Sequence, residues 1–101
     1  MPGFTASDGS GFQPPIPLRK VPPDYPTDMR RSGVSGLVNV ICTIDESGAV
    51  KEAKVKDSTD NGFDKAALAA ARQWTFRPAR RDGVAVPARA NLPIVFTFAE
   101  P

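Results

Sequence analysis

The sequence predicts an α+β domain, a three-stranded antiparallel sheet with two helices packed on one face, in the order helix, strand, strand, helix, strand. Three observations carry that prediction. Residues 84–98 alternate strictly, with Val84, Val86, Ala88, Ala90, Leu92, Ile94, Phe96 and Phe98 apolar, which is the period of a half-buried strand. Residues 36–58 alternate on both sides of Asp45-Glu46-Ser47-Gly48, and two alternating runs around a turn sequence make a hairpin. Residues 61–74 place Phe63, Ala66, Ala67, Ala70, Ala71 and Trp74 on one helical face, an apolar stripe narrow enough to lie close on a sheet. An antiparallel sheet covered on one side buries all three sets together.

The chain has 101 residues, the size of one domain. Its prolines divide it, because seven of the eleven fall at or before Pro26. Residues 1–24 are therefore predicted to be a disordered, proline-rich linker and residues 25–101 the folded domain. Within the linker, residues 1 to about 12 are Gly, Ser, Asp and Thr with isolated phenylalanines and are expected to be disordered. Residues 13–24, QPPIPLRKVPPD, favour an extended polyproline II spacer over a docking motif for a proline-binding domain. The start lacks a basic stretch followed by an apolar core, so it does not read as a signal peptide. No apolar run reaches the roughly 18 residues of a membrane span.

In the folded part, Pro26 suits the first position of a short helix that ends at Gly33 in the C′ position. Met29 is expected to face inward, and Arg30 and Arg31 complement the helix dipole at its C-terminal end. In the hairpin, Val38, Val40, Cys42 and Ile44 share one face, and Ala53 and Val55 return on it. Val50 is out of phase with Ala53, which predicts a bulge near Lys51 and Glu52. Asn61 is the expected cap of the second helix, with Asp64 in its first turn. Pro78 forbids that helix from continuing, and Asp82-Gly83 is a turn signal before the last strand.

Several chemistries are excluded by composition. The chain has no histidine, which removes His-based triads, His general bases and His metal sites. A single cysteine, Cys42, removes an internal disulfide and a cysteine metal cluster; on an aliphatic face it reads as a small buried hydrophobe, not a reactive thiol. The acids Asp45, Glu46, Asp57, Asp60 and Asp64 fall in turns and at a helix start, where turn and cap roles account for them. No enzyme and no cofactor is expected. Net charge is +2. Arg72, Arg77, Arg80 and Arg81 form a basic cluster, but without aromatics exposed beside it nucleic acid is not the expected partner.

The prolines of the last strand say more. Backbone N–H groups two residues apart point to the same edge, so Pro87 and Pro93 lack a donor on one common edge. Proline is tolerated mainly on edge strands or at bulges. The 84–98 segment is therefore expected to pair along one edge and leave the other open.

At this point the chain resembles the C-terminal domain of the TonB family of energy transducers. The matching residues are Tyr25-Pro26, Gly33 and Gly36 before GLVNVICTIDESGAV, Val55 with Asp57-Ser58, and the helix FDKAALAAARQWTFRPA with its Trp74, Phe76, Pro78 and Ala79. Gly83 with Val84 and Val86, and the closing Leu92-Pro93-Ile94-Val95-Phe96-Thr97-Phe98, complete the set. The resemblance implies a periplasmic interaction module, anchored to the inner membrane in the full-length protein. It implies binding of the TonB box of an outer-membrane β-barrel transporter by strand addition, and coupling of the inner-membrane proton motive force to uptake through a proton-channel complex reached by an N-terminal anchor that this chain lacks. The docking residues it implies are Arg89, Asn91, Pro93, Ile94, Val95, Phe96, Thr97 and Phe98, with Pro87 restricting pairing to the second half of the strand. A strand-swapped homodimer is a further occupant of an open edge. The alternative is a TonB-like interaction domain of a membrane sensor, peptidase or envelope scaffold protein that has no transporter partner.

Overall fold

The computed structural model describes residues 11–98. Among these residues the fold is mixed α/β, with two α-helices and three antiparallel sheets. The main sheet joins β3 (Gly36–Ile44), β4 (Val50–Ser58) and β8 (Ala88–Phe96) in the order β4-β3-β8. A second sheet has the order β1-β6-β7, from β1 (Phe12–Gln13), β6 (Ala79–Arg81) and β7 (Val84–Val86). The third is a pair, β2 (Ile16–Arg19) with β5 (Thr75–Arg77). The helices are α1 (Thr27–Arg31) and α2 (Asp64–Ala71). The single three-stranded sheet expected from the sequence is thus accompanied by two smaller ones.

The core lies between the main sheet and α2. Val38, Val40, Cys42 and Ile44 of β3 and Leu92, Ile94 and Phe96 of β8 pack with Phe63, Ala67, Ala71, Trp74 and Phe76. Small side chains meet where the helix crosses. Cys42 stands between Ala53 of β4 and Ala90 of β8. One end of this core is aromatic. Phe63 stacks on Phe96 at 4.4 Å between centroids, and Tyr25 meets both edge-on at 5.9 Å. Gly36 permits this cluster, since a Cβ there would run into the Phe63 ring. The Tyr25 hydroxyl donates to the carbonyl of Val34 and ties the cluster to the end of α1.

α1 ends as its sequence dictates. Gly33 takes φ +68°, its N–H donates to Arg30 O at 3.1 Å, and the Val34 N–H donates to Met29 O at 2.9 Å. These two bonds form the Schellman closure that a C′ glycine allows. Pro26 sits one position earlier than expected, as the residue flanking the helix. Before α2 the capping side chain is that of Asp60, not Asn61, and it caps a 3-10 turn. The Asp60 carboxylate accepts from the Gly62 N–H at 2.9 Å, and the turn, Asn61–Phe63, leads into the helix. The helix closes at Ala71, so Trp74 lies past its end while remaining buried.

Three further expectations are corrected. The 84–98 strand is broken at Pro87: β7 pairs with β6, and β8 pairs with β3. Alternation persists across the break, but Val84 is 65% exposed because β7 belongs to the small sheet. Residues 75–81, expected to leave the helix and not assigned a strand, form β5 and β6 with Pro78 between them. Within the segment read as disordered linker and spacer, β1 and β2 are extended and paired, Phe12 with Arg81 and Ile16 with Arg77. The disorder expected for residues 1–10 and the closing residues 99–101 lie outside the described residues.

Candidate peptide-docking edge

β8 is an edge strand. Nine consecutive residue pairs join it to β3 without a register shift, from Gly36 opposite Phe96 to Ile44 opposite Ala88. Among the described residues, no strand pairs with its other side. In an antiparallel ladder, bonding and non-bonding positions alternate. Pro93 stands opposite Asn39 and has no N–H to exchange, so the odd residues are the ones whose backbone groups face away from β3. That leaves the N–H groups of Arg89, Asn91 and Val95, and the carbonyls of those three and Pro93, directed at the open side. The side chains of all four are exposed. Val95 is 58% exposed, while its neighbours Ile94 and Phe96 are each 2% exposed.

The residues implied for docking therefore divide. Arg89, Asn91, Pro93 and Val95 line the open side. Ile94 and Phe96 are core, with their alternating backbone groups turned to β3. Thr97 and Phe98 lie beyond the end of the strand; the Phe98 N–H donates to Ser35 Oγ at 3.0 Å, and its ring lies beside Gly33.

Residues 20–23 also belong to the site, and sequence reasoning assigned them to a spacer. Lys20, Val21, Pro22 and Pro23 face Pro93, Ile94 and Val95 across a groove of about 340 Å³ with Trp74 at its side. The Trp74 indole N–H donates to Val21 O at 3.2 Å, holding this wall in place. The Lys20 ammonium lies 5.9 Å from the centre of the Trp74 ring. A signal was available in the sequence: a buried tryptophan needs a partner for its N–H. The identity of that partner, fifty-three residues away, was not legible.

Elsewhere the chemistry is quiet. Burial pushes the Cys42 thiol up to about 11, and a thiol held protonated inside the core is a poor nucleophile. The Asp45 carboxyl is held below its usual range by the Ser47 hydroxyl and then by the Ala49 N–H, bonds that close the β3–β4 turn. Among the described residues, no cluster of three or more His, Cys, Asp or Glu could hold a metal ion. No helix among them is long and apolar enough to cross a membrane.

Comparison with known proteins gives a consistent result. The pattern of the family described as Gram-negative bacterial TonB protein C-terminal matches residues 21–98. Protein TonB of Xanthomonas campestris pv. campestris (strain B100) is 37% identical over 78 residues, covering 76% of this chain and 35% of that protein. Protein TonB of Vibrio cholerae is 34% identical over 95 residues, covering 93% of this chain and 39% of that protein. The chain thus spans little more than a third of the length of these curated relatives. The solution NMR structure of the Pseudomonas aeruginosa TonB C-terminal domain aligns with a TM-score of 0.68 at 29% identity, covering 93% of each chain. A structure of TonB2 from Vibrio anguillarum aligns with a TM-score of 0.62 at 27% identity, covering 99% of this chain and 94% of that one.

Proposed function

The chain belongs to the family of Gram-negative bacterial TonB C-terminal domains, a family of non-enzymatic energy-transducer interaction domains, and we propose that its own task is strand capture at β8. In this reading the domain works in the periplasm. It takes the TonB box of an outer-membrane transporter as an added strand, and the longer protein, anchored in the inner membrane and working with a proton-channel complex there, uses that grip to couple proton motive force to uptake. The observation that supports it is the open side of β8, lined by Arg89, Asn91, Pro93 and Val95, the last two of which also face the groove. Strand addition draws its affinity from main-chain bonds and little from side chains. That suits a surface whose exposed positions combine a cation, an amide, a proline and an aliphatic.

The test is titration of the isotope-labelled chain with a synthetic box peptide, followed by backbone amide resonances. The expected shifts centre on Arg89, Asn91 and Val95. Shifts confined to the β3–β4 hairpin would reject the edge. The variant Val95→Pro removes one more donor from the same side, and its affinity for the peptide is expected to fall about tenfold, the size of one or two lost hydrogen bonds. Undiminished binding by a folded Val95→Pro domain would show that the edge is wrongly assigned.

A further inference from the structure

The groove beside β8 exists because the chain's own leading segment stops short of filling it. Residues 20–23 run alongside Pro93, Ile94 and Val95, close enough for both to line one cleft, yet among the described residues no strand pairing joins them. A covalently attached segment lying next to an open strand edge has a large advantage over any guest, because its effective concentration is set by a short tether. Without a device against it, this segment would become the fourth strand and close the site.

We propose that Pro22 and Pro23 are that device: a paired block that makes the docking edge select a foreign strand over the chain's own. The argument is one of parity. In a strand, the N–H groups that face one edge belong to alternate residues. If the segment presented residues 21 and 23 to β8, the donor of Pro23 would be missing. If it presented residues 22 and 24, the donor of Pro22 would be missing. One proline would leave one of these alignments intact; two in succession spoil both. Proline also holds φ near −65°, away from the −120° to −140° of sheet strands. The opposing stretch of β8 is itself short of a donor at Pro93, so a self-pairing that lost another would have little left to hold it. The Trp74 bond to Val21 O then keeps the blocked segment as a wall of the groove.

The inference rests on β8 as the docking site, but its first readout needs no guest. In the free chain the Val95 N–H faces the open side, and amide hydrogen exchange reports its state. In the double variant Pro22→Val/Pro23→Thr, that exchange is expected to slow about tenfold or more as the leading segment pairs, and affinity for the box peptide to fall about tenfold or more. Of the two single variants, Pro23→Thr and Pro22→Val, only the one restoring the parity that faces β8 is expected to reproduce the slowing; these also decide the matter if the double variant does not fold. Unchanged exchange at Val95 in the folded variants overturns the proposal, even if peptide affinity drops, because the prolines would then be contacting the guest. Slowed exchange in a chain whose unsubstituted form does not bind the peptide upholds the block and overturns the docking function instead.

Discussion

β4 and β8 are the two edges of one sheet, and they are finished in opposite ways. Along β4 the register with β3 shifts twice. Asn39 pairs with Asp57 and Val40 with Val55, which leaves Lys56 unmatched; Thr43 pairs with Glu52 and Ile44 with Val50, which leaves Lys51 unmatched. Each extra residue bends the strand and interrupts its row of donors. Lys51, Lys54 and Lys56 are all exposed along it. Bulges and edge lysines are established ways of blunting an edge against unwanted pairing. β8 has neither device. Its nine pairs with β3 run without a shift, and Arg89 is the one lysine or arginine within it. The difference sets a doubly bulged, lysine-lined edge against one that is regular and interrupted only at Pro93.

The contrast can be broken at its base by separating the two faces of β8. Ile94→Ala removes a side chain only 2% exposed and is expected to destabilise the domain by about 2–5 kcal/mol. Val95→Ala, one residue along and facing out, should stay within about 0.5 kcal/mol. Denaturant unfolding of both variants measures this, and equal losses would mean that the strand is not split into a core face and an open face. A smaller effect is expected from removing the guard on β4. Lys51→Thr, Lys54→Thr and Lys56→Thr together should promote self-association through β4, read by sedimentation as a concentration-dependent rise in mass, with the β8 edge unaltered. A monomer at all concentrations would assign the protection of β4 to its bulges alone.

The smallest effect concerns the turn that sets β4 in register. Asp45 accepts from the Ser47 N–H, the Ser47 hydroxyl and the Ala49 N–H, and its carboxyl is held below the usual range. A depressed folded value means stability that is fully present above the unfolded value, about 3.9, and lost as pH falls through the folded one. Asp45→Asn should therefore flatten the acid side of a plot of Tm against pH and leave its shape above pH ~5 unchanged. An identical acid limb in both proteins would remove Asp45 from the account.

What could be read in the sequence follows from where local pattern coincides with tertiary environment. Residues 88–96 alternate because one face is core, and the hairpin bulge at Lys51 was visible because Val50 and Ala53 cannot share a face without it. The alanine stripe likewise marked the helical surface that packs on the sheet. Elsewhere the pattern was silent or ambiguous. β5 and β6 are three residues each, and each has only one buried side chain, Phe76 or Ala79, among arginines. β2 carries no buried residue, and Leu18 falls at its register shift. The alternation across Pro87 reports the parity of the chain but not the sheet to which each half belongs. Of the candidate site, an open edge was expected from Pro87 and Pro93, of which only Pro93 lies in β8, and the sequence did not separate the odd residues from Ile94 and Phe96. The opposite wall was not legible, because a proline-rich spacer and a proline-rich wall have the same composition.

Gly48 closes the β3–β4 turn at φ +89°, and a Cβ at that position would collide with the carbonyl oxygen of Phe76. The Phe76 N–H donates to Gly48 O at 2.9 Å, and Phe76 stacks against Trp74, which grips Val21 at the groove. A glycine at the tip of the hairpin thus acts as the far pin of a linkage whose other end is the wall of the groove beside β8. Replacing Gly48 would therefore disturb Phe76 and, through it, a wall some distance from the turn.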